Sequence, residues 1–216
     1  MAQARQAALG FRVHSGWAAM VVVCVEKGAP RVVARERVQL VETFTYRFRQ
    51  PYHTAEKLPL EEAREFVAGV EKESQKLAYQ AIQAMREELQ KQGMELARCA
   101  LLMASGKTLP SFENILASHA LIHTADGELF REALSCAATR SGLQTIKIRE
   151  KELLESGRRA LHIQPAMLLR RLAALGKPFG SPWTQDEKFA TLAAWLAFAS
   201  RNSYRNTAKR EQKRIN

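Results

Sequence analysis

The chain has 216 residues, with 33 Lys plus Arg against 22 Asp plus Glu, a formal net charge of +11 and a hydrophobic fraction of 46%. That apolar fraction excludes a mostly disordered chain, and the length suits one medium-sized domain that can bury a core without disulfides or metal. No window of eighteen apolar residues exists, so no membrane span is expected, and the N-terminal run MAQARQAALGFRV lacks the long apolar core of a secretory signal. Cys24, Cys99 and Cys136 lie far apart, without CxxC spacing, among apolar neighbours. They read as buried, reduced thiols in a cytoplasmic protein.

The opening segments predict strands. Residues 7–13 (AALGFRV) form a short alternating run, and after His14-Ser15-Gly16 comes the Val-rich run WAAMVVVCVE (17–26). β-branched residues favour a pleated, buried surface. Lys27-Gly28-Ala29-Pro30 is a turn signal, and residues 31–42 alternate in part, as suits a strand nearer a sheet edge, so the second and third strands form a hairpin. Residues 42–59 show little periodicity and contain Pro51 and Pro59, which predicts a loop. Its rings and bases interleave: Phe44, Tyr46, Arg47, Phe48, Arg49, Tyr52 and His53.

Leu60–Gln92 predicts a long helix with Phe66, Val70, Leu77, Ala81, Met85 and Leu89 on its apolar stripe and Gly93 as its stop. Residues 97–105 (ARCALLMAS) read as a fourth strand, and Ser111 as the cap of a short helix. A second long helix is predicted over Asp126–Arg140, because Thr124-Ala125-Asp126-Gly127 reads as a helix break and fresh cap. Residues 143–150 form a fifth strand. Pro165 opens a helix running to Leu175, and Thr184 opens the closing helix, with Phe189, Leu192, Ala193 and Leu196 inward. The order βββ-α-β-α-β-α defines a mixed α/β domain over 1–200, followed by a basic tail over 201–216. That tail carries six bases and one acid, and Lys209, Arg210, Lys213 and Arg214 in it suit contact with a polyanion.

Few residues carry a chemical signature by themselves. Ser105-Gly106-Lys107-Thr108 is similar to the end of a phosphate-binding loop, but Leu101 stands where the full pattern needs glycine, so Lys107 is kept only as a ligand-binding candidate. His119 and His123 lie four apart with Asp126 three further on, which on one helix face would suit Zn²⁺. The expected break before Asp126 swings that carboxylate away, and no metal ligand is assigned. Tyr46, Arg47, Phe48 and Arg49 have the mix of rings and bases that stacks on and neutralises single-stranded nucleic acid; the competing reading packs them on the sheet edge. Thr184-Gln185-Asp186-Glu187 is a capping box, and acids in a first helical turn also suit the helix dipole.

The element order resembles the ribonuclease H-like superfamily, and within it the Holliday-junction resolvase branch. The residues that carry the likeness are Ala8-Leu9-Gly10-Phe11-Arg12-Val13-His14-Ser15-Gly16 and the acid-bearing start of an Ala/Leu-rich closing helix, Gln185-Asp186-Glu187-Lys188-Phe189-Ala190. The resemblance implies a three-layer fold with a five-stranded mixed sheet in the order 3-2-1-4-5. It implies Asp186 and Glu187 as the catalytic candidates, and it places Arg12, His14 and Ser15 where the fold binds ligands. Arg12 stands where the branch has its first catalytic Asp, and the fourth strand ends in Leu101-Leu102-Met103-Ala104-Ser105, where the branch has a nearby metal-binding Glu. Two-metal phosphodiester cleavage needs several carboxylates to hold its ions. The expectation is therefore a ribonuclease H-like domain without an intact two-metal site, acting on nucleic acid as a binding or scaffolding module, with no cofactor. The alternatives are a divergent Mg²⁺-dependent nuclease or phosphohydrolase with a rearranged site, and a subunit that binds another protein. A homodimer is compatible with each.

Overall fold

A computed structural model describes residues 4–104 and 108–199. Ten-residue strands β1 (Arg5–His14) and β2 (Trp17–Glu26) and the eleven-residue β3 (Ala29–Gln39) form an antiparallel meander. β4 (Met94–Met103) and β5 (Gln144–Arg149) add in parallel, giving the order β3-β2-β1-β4-β5. β1 is central, in the strand order that the resemblance implies.

Alternation along β1 and β2 sorts side chains to the two faces of the sheet. Leu9, Phe11, Met20 and Val22 face a core completed by α3 (Leu60–Lys91) and α5 (His119–Arg140). Ala8, Val21 and Val23 face the other core, built with α6 (Leu153–Leu161), α7 (Pro165–Leu175) and the closing helix α8 (residues 185–199). Between Ala8 and Arg12, Gly10 lets α8 approach: a Cβ there would lie 1.9 Å from the Ala190 carbonyl oxygen. A tight backbone approach of α8 to the sheet thus falls two residues before Arg12 and four after Asp186.

Several local expectations are revised. Residues 46–49 and 51–55 are not loop but two short helices, α1 (Tyr46–Arg49) and α2 (Pro51–Ala55), while Ser111 caps the expected short helix, α4 (Phe112–Leu116). Pro51 occupies the first turn of α2, where its missing N–H costs nothing. The buried stripe of α3 runs through Ala63, Val67, Val70, Ser74, Ala78, Ile82, Met85 and Leu89, leaving Phe66, Leu77 and Ala81 on its flank. Small residues let this helix sit close to its neighbours, and the Ser74 hydroxyl donates to the Leu40 carbonyl at 2.7 Å. The helix α6 lies where Gly157 obscures the periodicity; that glycine packs against Leu168 and Leu192. The break read at Thr124–Gly127 does not occur, since α5 is continuous from His119. Cys24 and Cys99 are buried, but Cys136 is exposed on α5. No helix among the described residues is long and apolar enough to cross a membrane.

Candidate functional site

Even-numbered residues of β1 point toward α8, so Arg12 and His14 emerge side by side at the C-terminal end of the central strand. The Arg12 guanidinium donates from Nε to Glu150 Oε2 at 3.1 Å and from Nη2 to Glu150 Oε1 at 2.6 Å, a two-pronged pair. Its Nη1 donates to Asp186 Oδ1. Phe189, one turn on from Asp186, lies under the guanidinium with its ring centre 5.5 Å from Cζ. Glu150 comes from the 3-10 turn Glu150–Glu152 that follows β5. The resemblance already puts Arg12 and Asp186 at one site, and the structure pairs them. Glu150 was not, because nothing in the fifth segment distinguishes it from neighbouring charged residues.

His14 Nε2 lies 2.8 Å from the same Asp186 Oδ1. Its ring stacks on Trp17, its register partner across the β1–β2 turn, at 4.4 Å between centres and 11° between planes. Burial alone would raise the Asp186 carboxyl, but hydrogen bonds from His14 and Arg12, with their charges, bring it below the usual aspartate value. The Arg12 guanidinium is held above its ordinary value, chiefly by its bonds to Glu150.

Glu187 is committed to the helix end. The Thr184 N–H donates to Glu187 Oε2 at 2.6 Å, and the Thr184 hydroxyl donates to that oxygen at 2.6 Å while accepting from the Asp186 N–H at 3.1 Å. This is the capping box read from the sequence, and it aims the Asp186 side chain at β1.

A ladder of bases and rings continues from this node. Arg37 on β3 lies over Trp17, 3.9 Å from the ring centre, and its Cζ is also 5.4 Å from the Phe44 ring centre. Arg49 lies 4.5 Å from the Phe44 ring centre and points Nε at the Ser15 carbonyl, 3.4 Å away. Trp17, Arg35, Arg37, Pro182, Asp186 and Glu187 line an open cleft of about 320 Å³. Of the loop candidates, Tyr46 is 57% exposed and Arg47 is exposed, its guanidinium 4.8 Å from the Phe66 ring. Phe48 turns inward against Phe66 and the α3 core. Trp17, Arg37 and Phe44 are the residues that bring this surface together; sequence reading named only Phe44, since strand residues give no sign of which face they share until register is known. Lys107 and the tail residues Lys209, Arg210, Lys213 and Arg214 lie outside the described residues.

The other charged centre lies across β1. Asp126, buried on α5, accepts from the Tyr52 N–H at 2.7 Å and bonds His53 Nδ1 through its other oxygen at 2.5 Å. His53, also buried, meets the rings of His119 and His123. His123 further lines a cleft of about 450 Å³ with His14, Ser15 and Arg131. Among the described residues, these three histidines are where a metal ion could be held.

The strand order, the mixed pairing and the helices on both faces define a ribonuclease H-like fold. Among solved structures, the chain is similar to Thermus thermophilus RuvC in complex with Holliday junction substrate, at a TM-score of 0.50 and 12% identity over 92% of this chain and 96% of that one. It is also similar to a second T. thermophilus RuvC structure, at a TM-score of 0.49 and 14% identity over 91% and 96% of the two chains. No family model and no curated protein matches the sequence.

Proposed function

We propose that this ribonuclease H-like domain binds nucleic acid through the end of β1 and the adjoining ladder of bases and rings, without two-metal cleavage at that site. One observation carries the reading: Arg12 emerges from the central strand into the space between Glu150 and Asp186, bonded to both. Two-metal catalysis needs carboxylate oxygens free to clamp a pair of divalent ions. Here Asp186 Oδ1 is shared by Arg12 and His14, both Glu150 oxygens are on Arg12, and Glu187 caps a helix. This donor set does not fit the metal pair that the resolvase resemblance implies. The fixed cation fills the metals' electrostatic role for the fold and offers no open coordination position for a phosphate oxygen.

Nucleic acid is favoured over a protein partner by the chemistry of the adjacent surface. Guanidiniums held against Trp17 and Phe44, with Tyr46 exposed nearby, suit bases that stack and phosphates that need counter-charge. The similar RuvC structure holds a Holliday junction, which makes branched DNA the first substrate to test.

The experiment is retention of single-stranded DNA, RNA and four-way junction DNA by the full chain across a salt series. Binding should be sequence-tolerant and fall steeply with salt. Arg37→Ala should weaken it and flatten the slope by about 0.7–0.9, while Tyr46→Ala, at the exposed ring, should weaken it at unchanged slope, because a stacking ring releases no counterions. No retention at low salt would reject nucleic acid and leave the protein-binding subunit as the function.

A further inference from the structure

We infer that His53, His119 and His123 form a Zn²⁺ site with a fourth position open to solvent. One ring nitrogen from each residue lies within 4.8 Å of the other two. His119 and His123 are one turn apart on α5, and their Nε2 atoms are 3.1 Å apart. Two Zn–N bonds of usual length at the tetrahedral angle place their nitrogens about 3.3 Å apart, so this pair already sits near the spacing of two ligands on one ion. Without an ion, the two facing nitrogens share one proton or turn to solvent.

The second observation is independent of that spacing. Metal-binding histidines almost always donate their other ring N–H to a carboxylate or carbonyl, which fixes the tautomer and turns the free nitrogen toward the ion. His53 has this support: Asp126 takes Nδ1 at 2.5 Å, which leaves Nε2 as the ligand atom. Asp126 is itself fixed by the Tyr52 backbone N–H, and both His53 and Asp126 are buried while His119 and His123 are exposed. One ligand is thus locked by a buried anchor and two face solvent, the arrangement of a site that an ion can enter and where water completes the coordination. Three neutral imidazoles suit Zn²⁺, which prefers nitrogen and sulfur donors and has no geometric demand beyond four-coordination. The ion would tie α2 to the first two turns of α5. It would sit across β1 from Arg12 and use none of the Arg12, Glu150 or Asp186 oxygens, so it stands or falls separately from the nucleic-acid reading.

The test uses the full chain stripped by a chelator and titrated with ZnCl₂ by calorimetry, with melting temperature and the visible spectrum of the Co²⁺ form as further readouts. One Zn²⁺ per chain should bind saturably and raise the melting temperature, and Co²⁺ should give the intense visible bands of a four-coordinate site. The double variant His119→Ala, His123→Ala should lose binding, with circular dichroism checking its fold. The single exposed change His119→Ala carries the same test if the double variant does not fold. Asp126→Asn should weaken affinity by about 10–100-fold, as expected when a carboxylate supporting a ligand histidine is lost. His162→Asn, on an exposed helix end, should change nothing. Absence of saturable uptake by the wild-type chain, or uptake unchanged in the histidine variants, would overturn the site.

Discussion

Replacing Arg12 by Met tests the ion-pair node while keeping a long side chain against Phe189. The substitution removes two bonds to Glu150 and one to Asp186, and leaves the two carboxylates without their shared cation, with His14 still bonded to Asp186. A hydrogen bond to a charged partner contributes about 1.5–3 kcal/mol when sheltered. The side chains of Arg12, Glu150 and Asp186 are 18%, 35% and 20% exposed, so solvent screens part of this and the lower end applies. The expected loss is about 2–3 kcal/mol, a fall in melting temperature of about 5–10 °C for a chain of this size. Differential scanning calorimetry at neutral pH measures it. The pH dependence supplies a second check. The Asp186 carboxyl sits below its unfolded value, so its stabilising contribution is present above the ordinary aspartate range and is lost as pH falls through the lower folded value. The gap between wild type and Arg12→Met should therefore be full at pH 7 and narrow on acidification. A gap under about 0.5 kcal/mol at pH 7, or one that widens toward low pH, would refute the ion-pair account.

Gly10→Ala should loosen α8 from the sheet, because the new methyl meets backbone rather than a side chain that can turn away; a destabilisation of about 1–3 kcal/mol or more by denaturant melt is expected, and an unchanged midpoint would mean that α8 does not pack there. Deleting residues 201–216 removes six bases, so the log–log salt dependence of single-strand binding should flatten by up to about 4, while the melting temperature stays near that of the full chain. An unchanged slope would place all phosphate contacts elsewhere.

The strands and the closing helix were legible because their cues are local. Val-rich β2 reads as buried, Gly93 and Gly142 have the positive φ that stops a helix, and Thr184 with Glu187 announces a cap. Sheet order came from resemblance to a known architecture, not from those cues. What escaped the sequence is what depends on distance in space. Glu150 is 138 residues from Arg12, and one acid in a charged run has no local mark. The histidine site was half visible as the pair at 119 and 123, but Thr124-Ala125-Asp126-Gly127 looked like a break. Helix α5 runs through it because Ile122 and Ala125 before the glycine and Leu129 and Phe130 after it are all buried, and tertiary packing outweighs the glycine's weak propensity. Asp126 is thereby kept on the helix, where it meets His53 from a segment that reads as loop.

If Arg12 stands in place of a metal pair, the chain has no metal-dependent cleavage at this site. Purified full chain is incubated with labelled four-way junction DNA, single-stranded DNA and RNA in saturating Mg²⁺ or Mn²⁺, beside Asp186→Ala prepared in the same way. Wild type should leave every substrate intact at the level of the variant. Metal-dependent cleavage by wild type that Asp186→Ala abolishes would contradict it.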